Sequence, residues 1–372
     1  MKAKPADSYQ VANVGEIDSP ALLVYLDRVK DNVAKMIALA GGVERLRPHV
    51  KTHKLSEMVR MQMKAGIRKF KCATIAEAEM TAACGAADVL LAYQPTGPKV
   101  GRFIELTQRF PKTKFSAIAD DEGAIRALAK EFSAAGVVGE FLLDIDCGQH
   151  RSGVAPDAAA LELYRLIHSL PGLRVGGLHV YDGHIHDKEL LARIKTCEAA
   201  FKPVNALLQK LGRANLPVPT VVAGGTPTFP VHARRKNVEC SPGTCVFWDA
   251  GYEAKLPDLD FEPAALVLTR VVSKPATGRL CLDLGHKAIA AENPHPRVIF
   301  PGLPDAQAVT HSEEHLVVET ARAAEFKVGD CLYGVPWHIC PTVALHSEAV
   351  IIENGRATER WKIVARDRRL TI

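Results

Sequence analysis

The feature that most constrains this chain is a regular alternation between about residues 45 and 245. Short runs rich in Val, Ile, Leu and Phe take turns with segments whose apolar residues recur at three- and four-residue spacing. The apolar runs predict strands at 45–50, 69–74, 88–93, 115–120, 140–146, 173–181, 220–225 and 238–244. The intervening segments, among them 75–84, 122–135 and 190–211, predict helices. Strands separated by helical crossovers pair in parallel. Eight such units in about 200 residues fit a closed (β/α)₈ TIM barrel, although a doubly wound open sheet has the same local signature.

After about Ala265 the texture changes. Runs at 265–272, 280–284, 315–320, 331–335 and 349–353 have no helices of comparable length between them, and Gly and Pro punctuate them. That predicts an all-β domain, with the apolar segment 19–26 as an N-terminal strand pairing into it. The expected organisation is a barrel over residues 24–262 and a β domain over 263–372 that includes the segment 8–23.

Composition narrows the function classes. The 372 residues are 47% hydrophobic and 24% charged, which argues for a globular chain rather than a disordered one. The net charge of +5 is spread along the sequence and does not suggest a nucleic-acid binder. No apolar run approaches the roughly 20 residues needed to span a bilayer, and residues 1–15 lack the apolar core of a signal peptide. Nine cysteines, an odd number, do not read as a disulfide framework. The expectation is a soluble cytoplasmic protein of enzyme size, with no nucleic-acid or membrane partner.

Four clusters can carry chemistry. Arg47-Pro48-His49-Val50-Lys51-Thr52-His53-Lys54 ends the first strand, where a barrel forms its active-site mouth. A lysine there is placed to attack a carbonyl as an amine, and a solvated basic turn is the plainer reading. Ala223-Gly224-Gly225-Thr226-Pro227-Thr228 and Ser241-Pro242-Gly243-Thr244 end the seventh and eighth strands, where barrels commonly hold phosphate on backbone N–H groups. Lastly, in Trp337-His338-Ile339-Cys340-Pro341-Thr342 an extended strand would put His338 and Cys340 on one face, able to grip one metal ion. Imidazole plus thiolate suits zinc best. The remaining cysteines read as small core residues.

Taken in this order, the clusters resemble the D-threonine aldolase and D-serine dehydratase family, from about Ser19 to the C-terminus. The stretches 146–153, 177–184 and 312–315 fit the same family. The resemblance implies an alanine-racemase-type barrel followed by a β domain, pyridoxal 5′-phosphate (PLP) as cofactor, a divalent metal (zinc, manganese or magnesium) and a homodimer. It implies that Lys51 holds the cofactor covalently, with Lys54 an outward-facing residue at a helix start. It further implies that Arg151 reaches the cofactor phenolate, that Tyr181 contacts the ring, and that Gly224, Gly225, Thr226, Gly243 and Thr244 hold the phosphate. His338 and Cys340 resemble the metal pair, and His184 or His186 the base for the substrate hydroxyl.

The implied activity is that of a lyase on D-3-hydroxy amino acids. One outcome is retro-aldol cleavage to glycine plus an aldehyde; the alternative is elimination to a 2-oxo acid and ammonia. Cys340 leans toward elimination and the histidines after Tyr181 toward the aldolase. A racemase needs no metal near the β-carbon, and PLP-binding proteins without known catalysis are single barrels lacking a second domain.

Overall fold

The computed structural model describes residues 6–372, so the start of the stretch 1–15 read above for a leader lies outside the described residues. The chain divides into two compact units. One comprises Met36–Lys51, Ser56–Gly243 and Asp367–Ile372; the other comprises the residues up to Lys35, Thr52–Leu55 and Thr244–Arg366.

The first unit carries seven parallel strands in sequential order: Lys69–Cys72, Asp88–Leu91, Lys114–Ala119, Gly139–Ile145, Leu173–Val180, Thr220–Ala223 and Glu239–Cys240. The predicted strand at 45–50 is not a regular strand. Only two isolated parallel bridges form there, Leu46 with Cys240 and His49 with Lys71. The N–H groups of Arg47 and His49 donate to the carbonyls of Cys240 and Pro242, and the Lys71 N–H donates to the Pro48 carbonyl. Pro48 has no N–H to return on the Lys71 side, which holds the segment to bridges. Those bridges still link the first and last strands, so the ring is closed with eight members.

Helices follow the strands as predicted, including Ile75–Ala83, Glu122–Ala134 and Leu190–Arg213. Their starts have identifiable caps. The Thr74 side chain accepts from the Glu77 N–H, and Asp121 accepts from Ala124. Phe103 and Phe132 on helices pack against Phe141 of a strand at centroid distances of 6.2 and 5.6 Å, seating the helical layer on the outer face. Inside, Leu90, Ile118, Leu142 and Val222 from alternating positions on four strands form a buried cluster.

The second unit is built on a nine-stranded mixed sheet. The path runs Gln307–His311, Leu316–Glu319, Arg279–Leu282, Ala265–Ser273, Ala21–Tyr25, Glu348–Glu353 and Arg356–Lys362. Cys331–Pro336 pairs with Ala265–Ser273 and with Val298–Ile299. The N-terminal strand takes the predicted role: Leu23 lies opposite Leu266 in antiparallel pairing and opposite Val350 in parallel pairing. Among the described residues no helix is long and apolar enough to cross a membrane.

Candidate active site

A cavity of about 560 Å³ opens at the C-terminal ends of the barrel strands. Lys51 reaches its wall from the 3₁₀ turn Val50–Thr52, and its N–H donates to His49 Nδ1. Tyr181, just beyond the strand Leu173–Val180, presents a ring around which three basic side chains gather. Lys51 Nζ lies 5.9 Å, Lys71 Nζ 5.5 Å and Arg151 Cζ 4.7 Å from its centroid. Such ring contacts are favourable where water is excluded.

Beneath this lies a buried dyad. His179 Nδ1 is 2.7 Å from Asp144 Oδ1, and Ser152 Oγ donates to the other Asp144 oxygen at 3.0 Å. Burial alone would raise the Asp144 carboxyl, but the charge and hydrogen bond of His179, then Ser152 and Arg151, hold it below the ordinary range. Burial pushes the His179 imidazole down despite Asp144. Nε2 is buried without a hydrogen-bond partner, on a ring that lines the cavity. Lys71 is buried too, its amine pushed down to about 7 by burial and by Lys51, against the pull of Asp144 and Asp182.

The glycine cluster lies beside the Tyr181 ring. Gly224 has φ +75°, and a Cβ there would come 2.5 Å from His232 Cδ2 and 2.8 Å from Thr228 Oγ1. At Gly225 a Cβ would sit 3.0 Å from the Tyr181 ring. The Gly225 N–H donates to Thr228 Oγ1, whose hydroxyl donates to Asp182 at 2.7 Å, and Asp182 also binds His232 Nε2 at 2.8 Å. Cys197 Sγ completes this buried set, 3.7 Å from the Asp182 carboxylate and 3.6 Å from His232 Nε2. Spacing gave no sign that Cys197 belonged to a polar cluster. Burial raises the Asp182 carboxyl, and the bonds from His232 and Thr228 more than reverse it. The Gly243 N–H donates to Thr226 Oγ1 at 3.2 Å, joining the ends of the seventh and eighth strands. Thr244 begins the other unit, its hydroxyl 3.6 Å from Cys340 Sγ.

His184 is half-buried beside Gly148, and His186 is exposed; neither lines the cavity. Lys54 stands at φ +55°, two residues before the helix Ser56–Lys64.

His338 and Cys340 are not in an extended strand as the sequence reading expected. His338 is the N-cap of a short helix, Ile339–Leu345, and Cys340 lies in its first turn. Pro341 is tolerated there because a first-turn N–H has no intrahelical acceptor. The two side chains still meet. Burial works against it, yet the hydrogen bond and charge of Cys340, followed by Glu292 and Asp249, push the His338 imidazole up to about 9. Thr52 Oγ1 lies 3.2 Å from Cys340 Sγ. A nitrogen and a sulfur in one such pair are the donor types a divalent cation takes in place of a proton.

A parallel barrel whose strand ends carry a lysine, an aromatic platform and a glycine-lined turn, in a chain with a separate mixed-sheet unit, defines the alanine-racemase-like class. The chain belongs to the family described as alanine racemase, N-terminal domain, which matches residues 24–250, and a putative serine dehydratase domain matches residues 264–352. It is 30% identical to a D-threonine aldolase of Arthrobacter sp., over 98% of this chain and 95% of that one. It is 34% identical to a D-threo-3-hydroxyaspartate dehydratase of Delftia sp., over 93% and 97%. The crystal structure of D-threonine aldolase from Filomicrobium marinum superposes with a TM-score of 0.87 at 28% identity, covering 94% of this chain and 95% of that one.

Proposed function

We propose that this chain is a PLP- and divalent-metal-dependent lyase that cleaves D-3-hydroxy amino acids of the D-threonine type to glycine and an aldehyde. The observation that carries the reading is Lys51 beside Tyr181 and Arg151 in the cavity at the strand ends. The residues suit the cofactor. Basic side chains ring an aromatic face, His179 Nε2 is an orphaned polar atom on the wall, and Gly224 and Gly225 leave backbone open where a Cβ would clash.

Bound there, PLP would supply an electron sink for the charge that develops at Cα. Lys51 holds it covalently and carries protons at Cα; Arg151 holds its anionic phenolate oxygen and Tyr181 supports the ring. Gly224, Gly225, Thr226, Gly243 and Thr244 hold the phosphate. His338 and Cys340 would hold a zinc, manganese or magnesium ion, which would supply Lewis acidity for the β-hydroxyl. His184 or His186 takes the hydroxyl proton. The reading includes a cytoplasmic homodimer.

Elimination to a 2-oxo acid and ammonia is the second reading. It is favoured by the thiol at Cys340 and by the place of both histidines outside the cavity lining. Product analysis separates the two. The PLP-loaded protein is given D-threonine, D-serine and D-3-hydroxyaspartate with each metal in turn. Glycine plus aldehyde supports the aldolase, and 2-oxo acid plus ammonia supports the dehydratase. Turnover that survives thorough metal stripping removes the mechanism as stated.

A further inference from the structure

Lys71 sits in the strand Lys69–Cys72, where alternation sends Phe70 and Cys72 to one face and Lys71 to the other, toward the barrel interior. Its backbone is pinned by the bridge to His49, and the residue is 2% exposed. Long amines are almost never this buried unless they are paired. Lys71 lines the cavity, yet among the described residues its amine has no hydrogen bond and no ion pair; it lies over the Tyr181 ring.

The nearby carboxylates are committed elsewhere. Asp144 serves His179 and Ser152, and Asp182 serves His232 and Thr228. The remaining charges that act on Lys71 are Lys51 and Arg151, both of its own sign. A buried amine among cations, open to a cavity and lacking a counter-ion, is a group waiting for an anion.

We propose that Lys71 binds an anionic oxygen of the molecules that fill the cavity, taking up a proton as that oxygen arrives. The oxygen belongs either to the cofactor or to a carboxylate of the substrate. Only the choice of probes rests on the function proposed above.

Isothermal titration in two buffers of different ionisation enthalpy measures the proton uptake directly. PLP is titrated into the apo protein, and D-threonine or D-3-hydroxyaspartate into the PLP-loaded protein, for the wild type, Lys71→Met and Lys71→Arg. In at least one arm at pH 8, Lys71→Met is expected to bind at least tenfold more weakly and to take up about one proton fewer than the wild type. Lys71→Arg is expected to keep the affinity within a few-fold but lose the uptake. A change in the PLP arm assigns the oxygen to the cofactor. One with both amino acids assigns it to the α-carboxylate, and one with D-3-hydroxyaspartate alone to the second carboxylate. Removal of an unpaired buried amine makes the Met variant no less stable than the wild type, and thermal unfolding of the apo form checks that it folds. Wild-type affinity and uptake in every arm of the Met variant would overturn the assignment. Wild-type protein that takes up no PLP sinks the cofactor reading instead, and the same comparison with inorganic phosphate then decides Lys71.

Discussion

Two amines face one tyrosine ring in this cavity, and they differ in how visible they are. Lys51 stands out because a turn crowded with His and Lys ends a predicted strand. Lys71 reads as one more polar residue of a strand, because its burial and want of a carboxylate exist only once the barrel has closed. The Asp144–His179 dyad was hidden for the same reason: its members are 35 residues apart and meet only across adjacent strands. Lys71 gives a pH signature to the apo protein. Its folded-state value, about 7, lies below the ordinary lysine value, so between pH 7 and 10.5 the unfolded chain binds more protons than the native one. Apo stability should therefore rise with pH across that window, by a few kcal/mol at most, and Lys71→Met should flatten the rise. Denaturant titrations at pH 7, 8 and 9 measure it, and equal slopes in both proteins would refute it. For Lys51, the expectation is chemical. Borohydride treatment of the PLP-loaded protein should fix label on the peptide carrying Lys51, and Lys51→Ala should take up none and show no turnover. Label on Lys54 would reassign the role.

At the level of elements, most strand and helix positions followed from apolar periodicity, with ends displaced by a residue or two. The departures have local causes. At 45–50 a proline interrupts the hydrogen-bond ladder, and the second unit holds short strands such as Gln307–His311 whose largely exposed faces leave little apolar pattern to read. Trp337-His338-Ile339-Cys340-Pro341 looked extended, yet its helix starts there because the Asp249 carboxylate accepts the Ile339 N–H. Barrel closure rests on one arginine in particular. Arg47 is 3% exposed and binds Asp88 Oδ1 at 2.6 Å and Glu239 Oε2 at 2.7 Å, so a single side chain from the bridging segment holds two strands. Replacing it with Met leaves two carboxylates without their cation in a largely buried place, which costs about 3–5 kcal/mol. Arg47→Met should lower the unfolding free energy by that amount in a denaturant titration; a loss below about 1 kcal/mol would mean that Lys69, which also pairs with Glu239, suffices.

Across the whole molecule the candidate chemistry divides between the two units. Lys51, Lys71, Arg151, Tyr181 and the Gly224–Gly225 turn belong to the barrel unit, whereas His338 and Cys340 belong to the mixed-sheet unit. The second unit was legible as a change of texture after Ala265, and its N-terminal strand as an isolated apolar run. Its inclusion of Thr52–Leu55 was not, since four residues make no periodicity. The division makes cofactor and metal separable by mutation. Cys340→Ala deletes one of the two proposed protein donors, and an imidazole alone binds a divalent ion far more weakly than an imidazole with a thiolate. The variant should therefore copurify with less than a tenth of the wild-type metal and lose turnover of D-3-hydroxy amino acids. PLP affinity and borohydride labelling at Lys51 should stay within twofold of wild type, because Lys51, Arg151, Tyr181 and the Gly224–Gly225 turn lie in the barrel unit and Thr244 alone of the proposed cofactor residues adjoins Cys340. Elemental analysis and a PLP titration on the same preparation read both quantities. Lost PLP with undiminished metal would reverse the assignment of the two units, and loss of both would mean that the metal pair helps to hold the cofactor.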